Sequence, residues 1–294
     1  MSAPRRLLLF GASGQVGGEV MRLMKDAWDI RAPAEDAVNF LKPDSLRAAV
    51  RDADPAVIVN AAAYTAVDRA ESEPDIAHAV NAVAPGILAQ EAARRGALLV
   101  HYSTDYVFDG NLRRPYKETD APRPLSAYGR SKLEGERLVV AAGGRHVILR
   151  TSWVYGPGGA NFLLTMLRRF READSVRVVN DQRGAPTSST YVAEATKKVI
   201  EASPDRSGGG LYHVTAAGET TWHGFAIAIL KKCARARCKE VVPIRTSEYP
   251  TPARRPAWSV LDSSRFARRF GFTLRPWEAL LDDVWARLPQ GVRC

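Results

Sequence analysis

The sequence predicts an α/β fold: a Rossmann-type, doubly wound parallel sheet with a smaller C-terminal α/β lobe. Two observations lead to this prediction. In the first half of the chain, short and almost wholly apolar segments alternate with helical segments, which is typical of parallel strands covered by helices on both faces. A glycine-rich turn also follows the first apolar segment and opens a helix, as in phosphate-binding βαβ units.

Each strand of the predicted sheet is marked by an apolar run. These runs are RRLLLF at 5–10, PAVIVNAA at 55–62, GALLVHYST at 96–104, RHVILRTSWVYG at 145–156 and GGGLYHVT at 208–215. Helices are predicted at about 15–25, across 74–95 and from Ser126 onwards. Pro85 and Gly86 fall within the second helix, so we expect a kink or break there, because proline removes a backbone donor.

The second half of the chain is less regular, and this change predicts two lobes. We expect residues 1–153, together with about 185–215, to form a dinucleotide-binding Rossmann domain. Residues 154–184 and 216–294 are expected to form the smaller substrate-binding lobe, which ends in an amphipathic helix.

The formal net charge of +10 indicates an anionic partner. The basic residues are scattered, with small clusters at 168–171, 231–239 and 265–269, and no nucleic-acid-binding motif accompanies them. We therefore expect no nucleic-acid partner. A small substrate that carries a diphosphate accounts for the basic surface equally well.

The apolar runs and the cysteines bear on location and metal content. The longest apolar runs are only as long as strands, so no membrane partner is expected. The first residues lead into a strand and a glycine turn and do not resemble a signal peptide, which favours a cytoplasmic location. Cys233 and Cys238 lie in a basic segment without histidines, so no zinc site is predicted.

The glycine turn has the pattern Gly11-x-x-Gly14-x-x-Gly17. Glycines allow a tight turn and the close approach of a pyrophosphate, and the following helix start supplies oriented N–H donors. The acidic residue that would bind an adenosine ribose should follow about 20 residues later. Arg31 stands there instead, which favours a 2′-phosphate and hence NADPH, whereas Glu35 and Asp36 nearby keep NADH possible.

Tyr128 and Lys132 are four residues apart near a helix start, so both side chains lie on one face. A nearby ammonium stabilises a phenolate, and we expect Lys132 to lower the pKa of Tyr128 so that the phenol acts as a general acid. The spacing alone also suits an ordinary polar helix face. Its position favours function, because the preceding strand ends at Thr104 and Asp105, and ligands of such sheets bind beyond the carboxyl ends of the strands.

These features resemble the extended short-chain dehydrogenase/reductase superfamily and, within it, the dTDP-4-dehydrorhamnose reductase family. The similarity runs in order from residue 7 to about 256 and thins after that. The segments that carry it are GASGQVG, VIVNAAAYTAVDRAESEP, HYSTDYVFDG, YGRSKLEGE, RTSWVYGPGGANF, NDQRGAPT, GLYHVTAAGETTWHGFA and YPTPARRP.

The resemblance implies an enzyme that uses NAD(P)H to reduce the C4 ketone of dTDP-6-deoxy-L-lyxo-4-hexulose to dTDP-L-rhamnose. It implies Tyr128 as proton donor, Lys132 as the group that holds the nicotinamide ribose, and Thr104 as the hydrogen-bond donor to the carbonyl oxygen. The implied substrate contacts are Thr104, Asp105, Tyr106, Trp153 and Arg255. The implied cofactor contacts are Gly11, Ser13, Gly14, Gln15, Val16, Gly17, Arg31, Asn39, Phe40, Ala61, Ala62, Ala63, Tyr128 and Lys132.

Some members of the family dimerise through a magnesium ion held by glutamates. Glu19 matches one such position, but Thr190 stands where a second glutamate would be, and the C-terminal ARLPQGVRC has no carboxylate side chain. We therefore predict no metal site and leave open a monomer or a homodimer.

The same fold also carries other functions. A 4,6-dehydratase would place a glutamate directly after the Thr-Asp pair, where this chain has Tyr106. Two alternatives stay open: a reductase of another nucleotide-linked 4-keto-6-deoxy sugar, and a regulatory subunit that binds NADP without catalysis. The presence of Tyr128, Lys132 and Thr104 together favours an enzyme.

Overall fold

A computed structural model describes residues 6–202 and 209–293 of the 294-residue chain. The strands are β1 Arg6–Phe10, β2 Asp29–Arg31, β3 Val57–Asn60, β4 Leu98–Thr104, β5 His146–Thr151, β6 Val154–Tyr155, β7 Ser175–Val179, β8 Arg183–Gly184, β9 Thr187–Ser188, β10 Gly210–His213, β11 Thr220–Thr221 and β12 Glu240–Ile244. The α-helices are α1 Gln15–Met24, α2 Pro43–Ala53, α3 Pro74–His78, α4 Ala84–Arg95, α5 Ala127–Ala141, α6 Phe162–Glu172, α7 Ser189–Glu201, α8 Trp222–Leu230, α9 Ser264–Phe270 and α10 Trp277–Arg287.

Six parallel strands form the central sheet in the order β10-β5-β4-β3-β1-β2. This confirms the predicted parallel α/β fold, including the late strand predicted at 208–215. The chain reverses its direction of travel across the sheet between β1 and β3. Ligands of open parallel sheets bind in the crevice at such a switch point, beyond the carboxyl ends of the strands.

Alternate residues of the central strands enter different cores, as the two-residue period of a strand requires. Leu7 and Leu9 of β1 point into the larger core, which α1, α6, α7 and α8 also line. Leu8 and Phe10 point into the opposite core, which is shared with α2 and α4. Burial on both faces explains why these strands read as continuous apolar runs.

The long helix predicted across 74–95 is interrupted, but just before Pro85 and Gly86 and not at them. It consists of α3, a π-helical turn at Ala79–Val83 and α4, with Pro85 in the first turn of α4. Asn81 uses this wide turn to bond both the backbone of Tyr64 and the Ser131 hydroxyl on α5. The interruption therefore ties α5 to the loop after β3.

In the described part of the chain, three small sheets lie outside the central one. They pair β7 with β12, β8 with β11, and β6 with β9. Among the residues that the structure describes, no helix has the length and apolar character needed to cross a membrane.

Candidate active site

The glycine turn closes tightly against the neighbouring strand end. Gly11 has a φ of +78°, and a Cβ atom there would lie 2.6 Å from backbone atoms of Ala61 and Ala62. A Cβ atom on Gly17 would lie 2.0 Å from the Gly11 carbonyl oxygen. Only glycine therefore allows this approach of β1, β3 and α1. The turn brings two of the predicted cofactor segments together at the switch point.

The start of α1 is open to a ligand. Gly14 occupies the N-cap without any side-chain cap, and both Ser13 and Gly14 are exposed. Uncapped N–H groups at a helix start suit a diphosphate. Of the other predicted contacts here, Val16 packs partly against the core, and Gln15 accepts a hydrogen bond from Asn161 at 3.1 Å.

Three predicted cofactor contacts lie at the end of β2 and in the segment after it. Arg31 ends this strand with its side chain 61% exposed and 3.6 Å from Asp29. Phe40 packs edge-on against Phe10 at the end of β1, with ring centroids 5.5 Å apart. Asn39 lies in an exposed turn, where its side-chain oxygen accepts a hydrogen bond from the Leu41 amide. An exposed guanidinium beside the strand end is well placed for an added phosphate.

Thr104 and Asp105 are buried where β4 ends. The Thr104 hydroxyl donates to Asp105 Oδ1 and accepts from the Tyr106 amide, both at 3.1 Å. Asp105 Oδ2 is buried without a hydrogen-bond partner among the described residues. Burial raises the pKa of Asp105 to about 7, and the hydrogen bond from Thr104 opposes this shift. A buried carboxyl oxygen without a partner is suited to a hydroxyl-rich ligand.

Tyr128 lies in the first turn of α5, whose start is well capped. The Ser126 hydroxyl accepts from the Gly129 amide at 3.1 Å, and the Glu71 carboxylate accepts from the Ala127 amide at 2.7 Å. Both contacts hold the N–H groups that a helix start leaves unpaired. Glu71 therefore positions the helix that carries Tyr128.

The expected effect of Lys132 on Tyr128 is wrong for this structure. Burial raises the pKa of Tyr128 to about 12, a hydrogen bond with Thr104 opposes this shift, and the charge of Asp105 adds to it. Desolvation disfavours a phenolate more than any neighbouring positive charge favours it here. The phenol consequently holds its proton at neutral pH. The Thr104 hydroxyl donates to Asp105 and lies close enough to the Tyr128 phenol to oppose this shift, so two of the three predicted catalytic side chains lie together.

Lys132 is 2% exposed, one turn beyond Tyr128 on α5. Its Nζ lies 3.5 Å from Nε2 of His101 on β4. Burial lowers the pKa of Lys132 to about 8, and the charge of Glu136 opposes this shift. The ammonium therefore gives up its proton more readily than an exposed lysine does.

Aromatic side chains border the same region. The ring of Tyr106 meets that of Tyr128 edge-on at 6.1 Å. Trp153 follows β5 with a φ of +46° and stacks on Trp222 at 3.6 Å, while its indole also lies against Gly184. A positive φ at a tryptophan is rare, and tertiary contacts hold it. One face of Trp153 is therefore covered by protein.

Arg255 is held by Asp68 in this structure. Two hydrogen bonds of 3.0 and 2.8 Å join the guanidinium to the carboxylate, and Thr251 accepts a third at 2.6 Å. Asp68 also accepts from the Ala253 amide. Arg255, which the resemblance implies as a substrate contact, is therefore already paired with an acidic side chain. This Asp68–Arg255 ion pair is a clamp that joins the loop of Asp68 to the loop of Arg255.

Glu19 faces cations rather than other carboxylates. Arg287 donates to it at 2.6 and 3.1 Å, Arg22 donates at 2.9 Å, and Arg287 also donates to Thr190. Two guanidiniums already satisfy the carboxylate that a magnesium ion would need. Within residues 6–202 and 209–293, no cluster of three or more acidic, histidine or cysteine side chains suits a metal.

Sequence reasoning missed three contributors to this region: the role of His101 beside Lys132, Trp222 beneath Trp153, and the Asp68 clamp on Arg255. His101 lies inside an apolar strand segment, which gives no sign of a contact with Lys132. No local pattern marks the other two, because each partner lies far away along the chain.

Comparison with known proteins places the chain in a family. The family model described as RmlD substrate binding domain matches residues 5–289. A dTDP-4-dehydrorhamnose reductase of Burkholderia thailandensis is 46% identical over 283 residues, which cover 92% of this chain and 95% of that protein. The reductase of the same name from Salmonella typhimurium is 43% identical and covers 92% of this chain and 94% of its own length.

Solved structures agree with the sequence comparison. The dTDP-4-dehydrorhamnose reductase of Bacillus anthracis, solved in complex with NADP, superposes with a TM-score of 0.91 at 33% identity and covers 97% of this chain and 100% of its own. The corresponding structure from Clostridium acetobutylicum gives a TM-score of 0.90 at 35% identity, covering 96% of this chain and 99% of that one. The chain therefore belongs to the dTDP-4-dehydrorhamnose reductase family, whose members are oxidoreductases.

Proposed function

We propose that this protein uses NAD(P)H to reduce the C4 ketone of dTDP-6-deoxy-L-lyxo-4-hexulose and forms dTDP-L-rhamnose. The observation that supports it best is the group of buried Thr104, buried Asp105 and half-buried Tyr128 at the carboxyl end of β4, on the same edge of the sheet as the open glycine turn. Relatives named for this reaction are 43–46% identical over nearly the whole chain, and one related structure contains NADP.

The cofactor, when bound, supplies the hydride to C4. Gly11, Gly14 and Gly17, with the uncapped start of α1, would hold its diphosphate, and Ala61, Ala62 and Ala63 would border it. Lys132 would hold the nicotinamide ribose. Arg31 favours NADPH over NADH, because an exposed guanidinium binds a 2′-phosphate well.

Tyr128 would donate its proton to the oxygen of C4 as negative charge develops there. Its high pKa keeps the proton in place until then. The Thr104 hydroxyl, which donates to Asp105 in this structure, would turn to donate to the same oxygen and so stabilise the developing charge. Asp105, Tyr106 and Trp153 would contact the sugar.

The two lobes would divide this work. We propose that residues 1–153, with about 185–215, bind the dinucleotide, and that 154–184 and 216–294 bind the sugar nucleotide. Arg255 would contact the diphosphate of the substrate after exchanging its bonds to Asp68. A regulatory subunit is the second candidate function, but it would have no need of Thr104, Tyr128 and Lys132 together.

The test is a reduction assay on the purified protein. The keto-sugar nucleotide is mixed with NADPH or with NADH, absorbance at the nicotinamide band is followed, and the product is identified by NMR. We expect consumption of the reduced cofactor, faster with NADPH, and an L-rhamnose configuration. Binding of NADPH without consumption would instead indicate a regulatory subunit, and consumption only with another keto sugar would correct the substrate.

A further inference from the structure

Lys132 is a buried cation without a carboxylate partner of its own. No acidic side chain forms an ion pair with it among the residues that the structure describes. The nearest acid, Glu136 on the same helix, is bound by Arg150. A buried ammonium needs an acceptor to be stable. The group that stands at hydrogen-bond distance is His101.

His101 is placed by the register of the sheet. It is 0% exposed and lies directly opposite Asn60, its neighbour on β3. The Asn60 amide nitrogen is 3.2 Å from His101 Nδ1, and Lys132 Nζ is 3.5 Å from Nε2. Asn60 on β3, His101 on β4 and Lys132 on α5 thus form a buried row of hydrogen-bonding side chains.

The protonation states of these three side chains determine which of their atoms donate hydrogen bonds and which accept them. An ammonium only donates, so His101 Nε2 must accept from Lys132, and a neutral imidazole then carries its proton on Nδ1. The ring is held neutral, because burial and the charge of Lys132 both lower its pKa. The proton on Nδ1 needs an acceptor, and Asn60 Oδ1 is buried without a partner among the described residues. A half-turn of the amide brings that oxygen to the ring.

We propose that His101, oriented by Asn60, is a positioning residue for Lys132: it accepts a hydrogen bond from the ammonium and so fixes Nζ one helical turn from the Tyr128 hydroxyl. This inference rests on the proposed function, in which Lys132 must be charged to hold the nicotinamide ribose. The titratable or charged groups around Lys132 are Tyr128 and Glu136 on α5, His101 on β4 and Arg150 on β5.

The first test compares pH profiles. Activity should fall on the alkaline side as Lys132 loses its proton, near its pKa of about 8. In His101→Leu the ammonium loses its acceptor, so the alkaline limb of the pH–activity profile should shift to lower pH by about one unit. The kcat should also fall by about tenfold or more, because Nζ is held less firmly. His101→Gln keeps an acceptor near the position of Nε2 and should restore both values.

His213→Leu is the matched control. His213 is also fully buried on a strand of the central sheet, but its ring bonds the Tyr116 carbonyl and not Lys132. This variant should lower the melting temperature and leave the alkaline limb unchanged. The proposal is wrong if His101→Leu leaves the limb in place, or if His213→Leu moves it equally.

A second measurement separates this inference from the proposed reaction. Nitrogen-15 NMR of histidine-labelled wild-type protein at pH 6.5 should show His101 as the neutral form protonated on Nδ1. A proton on Nε2, or on both nitrogens, would overturn the proposal. If the wild type consumed no NADPH with any keto sugar, the proposed reaction would fail, and the NMR result would still decide the role of His101.

Discussion

The Glu136 carboxylate accepts two hydrogen bonds from the Arg150 guanidinium, at 2.8 and 2.6 Å, and both side chains are almost completely buried. Ser103 donates to the same carboxylate at 2.5 Å. The Glu136 carboxylate thus joins α5 to β4 and β5, one helical turn beyond Lys132. Because Arg150 neutralises Glu136, burial dominates the pKa of Lys132.

Breaking this ion pair should be costly. We expect Arg150→Met to lower the free energy of unfolding by about 3–5 kcal/mol, because it leaves a buried carboxylate without its partner. The double variant Arg150→Met/Glu136→Leu should recover part of this loss. Urea unfolding followed by circular dichroism measures both values, and a loss below about 1 kcal/mol in the single variant would contradict the prediction.

Tyr128→Phe removes the proposed acid and little else. We expect kcat to fall by about 10²-fold or more, since that is the usual contribution of a general acid. NADPH affinity, measured by fluorescence titration, should stay within about twofold because the ring remains in place. Tyr64→Phe is the control, because the Tyr64 hydroxyl bonds Glu73 and not Thr104. Equal losses of kcat in the two variants would show that Tyr128 is not the general acid.

Arg31 should decide the choice of cofactor. Arg31→Ala should raise the KM for NADPH by about tenfold or more and leave that for NADH nearly unchanged, because a charge-assisted bond to the 2′-phosphate is lost. Arg51→Ala, an exposed arginine on α2, is the control for general loss of positive charge. A similar rise for both cofactors would argue against a phosphate contact.

Asp105 should make the stability of the protein depend on pH. Its pKa is about 7 in the folded protein and 3.8 in the unfolded chain, so the folded state keeps a proton that the unfolded state releases. Its stabilising contribution is present below the lower pKa and is lost as pH rises through the higher one.

The variant Asp105→Asn isolates this effect, because it cannot titrate. From pH 4 to pH 7.5, the unfolding free energy of the wild type relative to Asp105→Asn should fall by up to about 4 kcal/mol. Parallel urea titrations across this range measure the difference. A constant difference would show that Asp105 is ionised throughout.

Removal of divalent metal should have no effect. Arg287 and Arg22 already pair with the Glu19 carboxylate, so no site is left for a bridging ion there. We expect EDTA and added Mg²⁺ to leave both the molar mass from light scattering and the reduction rate unchanged. Dissociation of an oligomer by EDTA would reveal a metal bridge.

The sequence by itself determined the features that depend on neighbours along the chain. The apolar runs predict the parallel strands because both faces of the sheet are buried, and the confirmed central sheet follows from them. The glycine pattern predicts the turn, because a Cβ atom on Gly11 or Gly17 would collide with neighbouring backbone atoms. The four-residue spacing likewise places Tyr128 and Lys132 on one helix face.

Only the tertiary structure decided what surrounds those residues. Strand register sets Asn60 beside His101, and loop packing joins Asp68 to Arg255 across 187 positions of sequence. Burial then raises the pKa of Tyr128, where the local spacing had predicted a decrease. The physical reason is that desolvation depends on every atom that excludes water from a group, and distant parts of the chain supply most of those atoms.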